Sequence, residues 1–178
     1  MMESMIEFVH RRIEKNNYNI AVDFTMGNGY DTLFLSGLAN KVYSFDIQEQ
    51  ALVNTKERLK DVNNVELILD SHERVDKYVD SIDVGIFNFG YLPNGDHSIT
   101  TKADSSLQAI KKGIELLNPG CILYLVVYVG HDEGKRESVI IDEYVSKLDF
   151  KLFNVGMFKM INKELAPYVI MIEKRNRF

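Results

Sequence analysis

Tryptophan is absent from this chain, cysteine occurs once and proline three times in 178 residues. The single cysteine, Cys121, has no partner for an intrachain disulfide, so a packed core must hold the fold and a reducing compartment is expected. No internal repeat, low-complexity tract or Pro/Gly/Ser-rich linker divides the chain, which predicts a single domain over residues 1–178. The apolar runs are too short to cross a bilayer. The opening "MMESMIEFVHRRIEKNN" lacks the apolar stretch and small-residue cleavage site of a signal peptide, so a soluble, cytoplasmic protein with no membrane partner is expected. A strong charge bias is also missing: the formal net charge of -5 neither advertises nor excludes a polyanionic partner, because phosphate recognition depends on local basic patches.

Two nucleotide fingerprints are missing as well. G-x-x-x-x-G-K-[ST] does not occur, so no P-loop is expected. "GNGYDT" places Thr32 where a nicotinamide-binding G-x-G-x-x-G carries its third glycine, which makes a dehydrogenase a distant reading.

What is present is an ordered alternation. Met5, Ile6, Phe8, Val9 and Ile13 fall near one side of a helical wheel, with Glu3, Glu7, Arg11, Arg12 and Lys15 elsewhere. Then come "IAVDF", a strand; a glycine turn leading into an apolar helical stretch; "KVYSFDI", a strand; "QEQALVNTKERLKDV", a helix; and "VELILDS", a third strand. After the short helical "HERVDKYV" follow "IDVGIFNF", a helix through "ITTKADSSLQAIKKGIELL", and the strand "GCILYLVVYV". Near-continuous apolar strands alternating with helices predict an α/β, doubly wound, Rossmann-like fold with a mostly parallel sheet covered on both faces. After the helical "RESVIIDEYVSKL", the strands "FKLFNVGMF" and "PYVIMIEK" have no helix between them, so they must form a C-terminal antiparallel hairpin.

In such a sheet, ligands bind beyond the carboxyl ends of the strands where strand order reverses, so the strand tips are the shortlist. The first tip supplies Asp23, Thr25, Gly27, Asn28 and Gly29, with Asp31 either starting the next helix or facing a ligand's charged end. The second supplies Asp46, placed for both hydroxyls of a ribose, followed by Gln48; the third supplies Asp70, Ser71 and His72 for the edge of an adenine. The fourth supplies Asn88. Taken singly, these residues have plainer readings: glycines for turns, Asp46 and Asp70 as helix caps, His72 as a loop residue. Their coincidence at successive tips predicts a nucleoside-containing cofactor. S-adenosyl-L-methionine has no phosphate to cradle and suits the looser "DFTMGNGYD"; no metal is expected.

"FNFGYLPNGDH" then follows the fourth strand. A plain turn does not need Asn88 at the tip or the bulky pair Tyr91 and Leu92. Asn88 can accept a hydrogen bond from an amine through its side-chain carbonyl, Tyr91 can wall or stack on a base, and the backbone at Gly90 permits close approach. His97 is the third catalytic candidate, as a proton relay, with Asp96 and His131 behind it.

"AVDFTMGNGYDTLFL", "VYSFDIQEQAL", "LILDSHE", "FNFGYLPNGDHSIT" and "VVYVGHDEGKRE" together resemble the bacterial YtqB/MnmM-type methyltransferase family, long described as rRNA methylases, over nearly the whole chain from Ala21. The resemblance implies a class I S-adenosylmethionine-dependent methyltransferase fold. It also implies N-methylation of the aminomethyl group of 5-aminomethyl-2-thiouridine at the tRNA wobble position, with the tRNA anticodon region as partner. Tyr30 stands where the family often has histidine, Cys121 replaces a usual glycine, and "LAPY" carries one proline where a pair is common. Basic groups for the tRNA phosphates are "HRRIEK", Lys111 with Lys112, "GKRE" and "EKRNR". A homodimer is a candidate way for so small a chain to widen that surface. Alternatives are an rRNA or small-molecule methyltransferase, or a non-catalytic binding module for S-adenosylmethionine or a nucleotide.

Overall fold

A computed structural model describes residues 2–90 and 103–176. Among these, five helices, α1 (Met5–Ile13), α2 (Tyr30–Ser36), α3 (Glu49–Arg58), α4 (Ala103–Leu116) and α5 (Asp132–Ser146), and a 3₁₀ turn over His72–Lys77 surround one sheet. Its strands are β1 (Tyr18–Asp23), β2 (Ala39–Asp46), β3 (Val65–Leu69), β4 (Ile82–Asn88), β5 (Leu117–Val127), β6 (Phe153–Phe158) and β7 (Tyr168–Lys174). Their order is β3-β2-β1-β4-β5-β7-β6. The first five run parallel; β7 is antiparallel to both β5 and β6, as the missing crossover helix requires. The chain winds outward from β1 to β3 and returns to place β4 beside β1, so the switch point lies between the tips of β1 and β4.

The burial pattern follows from position in the sheet. Central β4, "IDVGIFN", is buried at five of its seven residues, whereas edge strand β6, "FNVGMF", is largely exposed. One face packs α4, α5 and the 3₁₀ turn through Val75, Ile110, Ile114, Ile141 and Val145; the other packs α1 and α2 through Val9, Ile13 and Leu35. Gly85 in β4 is needed for packing: a Cβ there would lie 2.6 Å from Leu123 Cδ2 and 2.9 Å from Phe24 Cε2. The space it leaves is filled by Phe24, stacked on Phe87 with centroids 3.9 Å apart. This seats the residue that leads out of β1 toward the site.

At its N-terminus α1 is closed by a reciprocal cap, in which Ser4 Oγ accepts from Glu7 N–H (3.3 Å) and Glu7 Oε2 accepts from Ser4 N–H (2.7 Å). Its Phe8 stacks on Phe158 at 4.3 Å, tying the helix to the far hairpin. Strand β5 begins at Leu117, three residues before its expected start at Gly120. The reason is an irregular stretch in which Leu117 already pairs with Ile82 and Gly120 takes a φ of 81°. Among the described residues no helix is long and apolar enough to cross a membrane.

Candidate functional site

The loop after β1 is built as a braced cradle. Gly27 (φ 52°) and Gly29 (φ 84°) adopt left-handed backbone that favours glycine, and a Cβ on Gly29 would also come within 2.7 Å of Thr55 Cγ2. Helix α3 supports the loop: Thr55 Oγ1 donates to the Gly27 carbonyl (3.1 Å), Arg58 Nε to the Asn28 carbonyl (2.7 Å) and Asn54 Nδ2 to Asn28 Oδ1 (2.9 Å). From β2, Asp46 closes it, with Oδ2 accepting from Gly27 N–H and Oδ1 from Gln48 N–H, both at 3.0 Å. A carboxylate has about four acceptor positions, so Asp46 keeps capacity for a ligand's hydroxyls. Gln48 caps α3 through its backbone position, not through its side chain.

Several residues expected at a cofactor already have partners within the protein. Asp23 is wholly buried; its Oδ1 accepts from Thr25 N–H (3.0 Å) and its Oδ2 from Thr32 Oγ1 (2.6 Å), with Ser44 Oγ 2.8 Å from the same Thr32 hydroxyl. Thr32, the residue that breaks the dinucleotide fingerprint, is therefore what satisfies Asp23. Asn28 is engaged by α3 at both its side chain and its carbonyl. His72 is buried, its Nδ1 donating to the Phe24 carbonyl at 2.8 Å, and burial pushes its pKa down to about 4, so the ring is neutral. Asp23 and His72 are thus held in the interior, while Asn28 ties the partly exposed loop to α3. A buried framework cannot be told from a ligand contact by strand-tip position alone.

Asp70 accepts from Ser71 N–H (2.8 Å) and Tyr78 Oη (2.7 Å), with Arg74 at 3.5 Å. Burial pushes its carboxyl up, but these donors outweigh it and hold the group below its usual range. The Ser71 side chain makes no cap hydrogen bond to the turn it precedes. Beside these tips, Ile47 is 52% and Leu69 44% exposed, an apolar surface next to the Asp46 carboxylate.

Across the switch point Thr25 Oγ1 accepts from Asn88 N–H at 2.8 Å, locking the tip of β1 to that of β4. Asn88 Nδ2 donates to Asp31 Oδ2 (3.3 Å), and His10 Nε2 lies 2.7 Å from Asp31 Oδ1. Tyr128, just past β5, interacts with the Asn88 side chain; burial first, and the Asp31 charge second, push its hydroxyl pKa up. Tyr91, His97 and Asp96 lie outside the described residues. His131 is the N-cap of α5, its Nδ1 accepting from Gly134 N–H at 3.0 Å, which gives that ring a structural duty.

His10, Thr32, Ser44 and Tyr128 were not anticipated from sequence. Tyr128 was within reach, since the strand-tip rule extended to the fifth strand selects it. His10 was not, because a helical wheel places it on the polar side and says nothing of a carboxylate that arrives from α2. The segment "HRRIEK" also changes character: His10 turns to Asp31, Arg11 pairs with Glu3 at 2.8 Å and Arg12 lies over the Phe8 ring.

The site is rich in carboxylate. Burial first, and the neighbouring Asp31 charge second, push Asp23 up to about 7; burial also raises Asp46 against the pull of its N–H donors. The positive end of α2 thus carries Asp31 in its first turn, with Asp23 and Asp46 behind. A phosphate placed there would meet the Asp31 and Asp46 carboxyls, whereas a cationic ligand would be favoured. S-adenosylmethionine matches this set of acceptors, having a sulfonium, an ammonium, a ribose diol and an apolar adenine face, and no phosphate.

Strand order, the terminal antiparallel hairpin and this cradle together define a class I S-adenosylmethionine-dependent methyltransferase fold. Within that class, the chain belongs to the family described as "Putative rRNA methylase", whose sequence pattern matches residues 42–174. A crystal structure of a "putative rRNA-methylase" from Clostridium thermocellum is 38% identical, with a TM-score of 0.93 over 98% of this chain and 99% of that one. A "putative methyltransferase" from Streptococcus mutans, solved in complex with SAH, is 43% identical, with a TM-score of 0.90 over 98% of this chain and 99% of that one. An Arabidopsis thaliana protein named tRNA (mnm(5)s(2)U34)-methyltransferase, chloroplastic, is 33% identical in an alignment 171 residues long that covers 86% of this chain and 62% of the relative's length.

Proposed function

We propose that this protein is an S-adenosylmethionine-dependent N-methyltransferase that methylates the aminomethyl group of 5-aminomethyl-2-thiouridine at the tRNA wobble position. The observation that carries the reading is the convergence of Asp46, the Gly27–Gly29 loop, Asp31 and Asn88 on one switch point. The name of the Arabidopsis relative supports the substrate.

In this reading Asp46 holds the ribose hydroxyls, the glycine backbone admits the cofactor closely, and Asp70 with Ser71 addresses the adenine edge. Bound S-adenosylmethionine supplies a methyl group activated by its sulfonium. The chain's own contribution is alignment. Holding reactants at near-attack geometry can be worth about 7–11 kcal/mol, more than a single general base supplies. With its Nδ2 committed to Asp31, Asn88 turns Oδ1 away to accept from the acceptor N–H, which aims the nitrogen lone pair. Transfer moves positive charge from sulfur to nitrogen, and the Asp31 carboxylate one hydrogen bond behind Asn88 favours that charge.

The test is incubation of the purified protein with labelled S-adenosylmethionine and with tRNA and rRNA from a strain lacking the gene, followed by nucleoside mass spectrometry. Label on the aminomethyl nitrogen of tRNA is expected. Label confined to rRNA would favour the activity that the family description names; label on a ring atom or ribose would reject the assigned chemistry.

A further inference from the structure

Helix α1 is outside the alternating βα pattern, yet it delivers one side chain into the site. His10 lies flat on Phe34, with centroids 3.7 Å apart and planes 5° from parallel, and its Nε2 reaches Asp31 Oδ1 at 2.7 Å. The Asp31 side chain is 9% exposed and its other oxygen receives Asn88 Nδ2 at 3.3 Å. Each Asp31 oxygen meets a nitrogen, and as the hydrogen-bond acceptor it fixes two assignments, the His10 tautomer and the Asn88 amide orientation. His10 must carry its hydrogen on Nε2. Asn88 must present nitrogen to Asp31, so its carbonyl oxygen faces the other way.

We propose that His10 is a positioning residue for the methyl acceptor: by holding Asp31 it fixes the Asn88 amide with Oδ1 toward the acceptor nitrogen. This rests on the methyltransferase reading and extends it from the strand tips to the N-terminal helix. Three features support the assignment. Asp31 lies close to a second buried carboxylate, Asp23, so with one donor removed it would turn toward whatever donor or solvent remained. The Phe34 stack confines the imidazole to one plane and so confines the carboxylate it binds. The cap at Ser4 and Glu7 and the burial of Met5, Val9 and Ile13 hold the helix itself in place. Anchored helix, stacked ring, carboxylate and amide thus form one chain of contacts ending at the acceptor position.

The experiment compares wild type, His10→Ala and His10→Gln for kcat, for KM with tRNA, for S-adenosylhomocysteine affinity by calorimetry and for the thermal midpoint. Side-chain amide resonances of Asn88 are recorded by ¹⁵N NMR in the same samples. His10→Ala should lower kcat about 30- to 100-fold, the size expected for sub-ångström misplacement of a reacting group, with cofactor affinity and KM within about threefold. His10→Gln keeps an N–H near the Nε2 position and should recover most of the loss. The Asn88 resonances should move in the alanine variant and return in the glutamine variant. Equal kcat losses in both variants, a loss that follows the thermal midpoint alone, or unmoved Asn88 resonances would overturn the proposal. If wild type methylates no RNA, the functional reading fails by itself, and the resonances still decide whether His10 orders Asn88.

Discussion

The two ends of the sheet use the same residue type to opposite effect. At the amino end of β4, Asp83 Oδ2 accepts from the Asn19 and Ile20 N–H groups, each at 2.9 Å, and Oδ1 accepts from Asn118 Nδ2 at 2.8 Å. Burial pushes this carboxyl up, but the three donors outweigh it and hold it below its usual range. At the carboxyl end, Asp23 also has two good donors, yet it is raised to about 7. One donor fewer is the smaller part of the difference. Complete burial and a neighbouring like charge are the larger part, and the two meet in Asp23, at the end where strand order reverses. One end spends its acid on structure. The other keeps acids in a state that a bound cation would relieve.

The sharpest way to break this contrast is to remove one acid from each end. Asp46→Ala should weaken S-adenosylhomocysteine binding by about 100-fold or more, since hydrogen bonds to a charged group are worth about 1.5–3 kcal/mol each and two hydroxyls are lost. The glycine loop also loses its Gly27 N–H anchor. Asn88→Ala should leave that affinity within about threefold and slow methyl transfer instead. Calorimetry paired with turnover measures both. Equal loss of affinity in the two variants would abolish the division between cofactor and acceptor sides.

At the opposite end Asp83→Ala should cost about 2 kcal/mol of stability, because it removes the shared acceptor of two backbone N–H groups and one amide. Cofactor affinity should not change. Urea unfolding followed by calorimetry tests the pair of statements; a variant that loses affinity as well as stability would mean that the two ends are coupled through β4.

Much of this was legible beforehand, for a physical reason. Strand and helix periods, the glycine turn and the absence of a crossover helix at the C-terminus are local properties, and they suffice for a doubly wound, mostly parallel sheet ending in an antiparallel hairpin, whereas the strand order depends on long-range pairing. The strand-tip rule selects Asp46, Asp31 and Asn88, which lie around one switch point, because topology brings tips together whatever the side chains do. What it could not do was sort residues that face a ligand from those that brace the loop. Asp23 and His72 sit at the right positions and point inward, since Thr32, Ser44 and the Phe24 carbonyl lie behind them. Those partners come from separate elements, and no local pattern registers such meetings. His10 meets its carboxylate 21 residues away, and His72 its carbonyl 48 residues away.

The subtlest consequence of the contrast is a pH dependence that belongs to Asp23. Its folded pKa of about 7 lies above the ordinary value near 4, so between those values the native state keeps a proton that the unfolded chain has released. The stability from this group is complete below about pH 4 and is lost as pH rises through 7. An amide in its place cannot titrate. The stability of Asp23→Asn relative to wild type should therefore rise with pH across that window, by on the order of 4 kcal/mol, measured as urea midpoints from pH 4 to 8. Taking the difference between the two proteins matters, because His72 contributes with the opposite sign and Glu137, raised to about 7 by burial, with the same sign, and both cancel. Saturating S-adenosylmethionine should flatten the wild-type profile, since a cation in the cradle lowers the cost of ionising Asp23. A difference that stays constant with pH would mean that Asp23 is ionised throughout, and the carboxyl end would then be electrostatically no different from the end that holds Asp83.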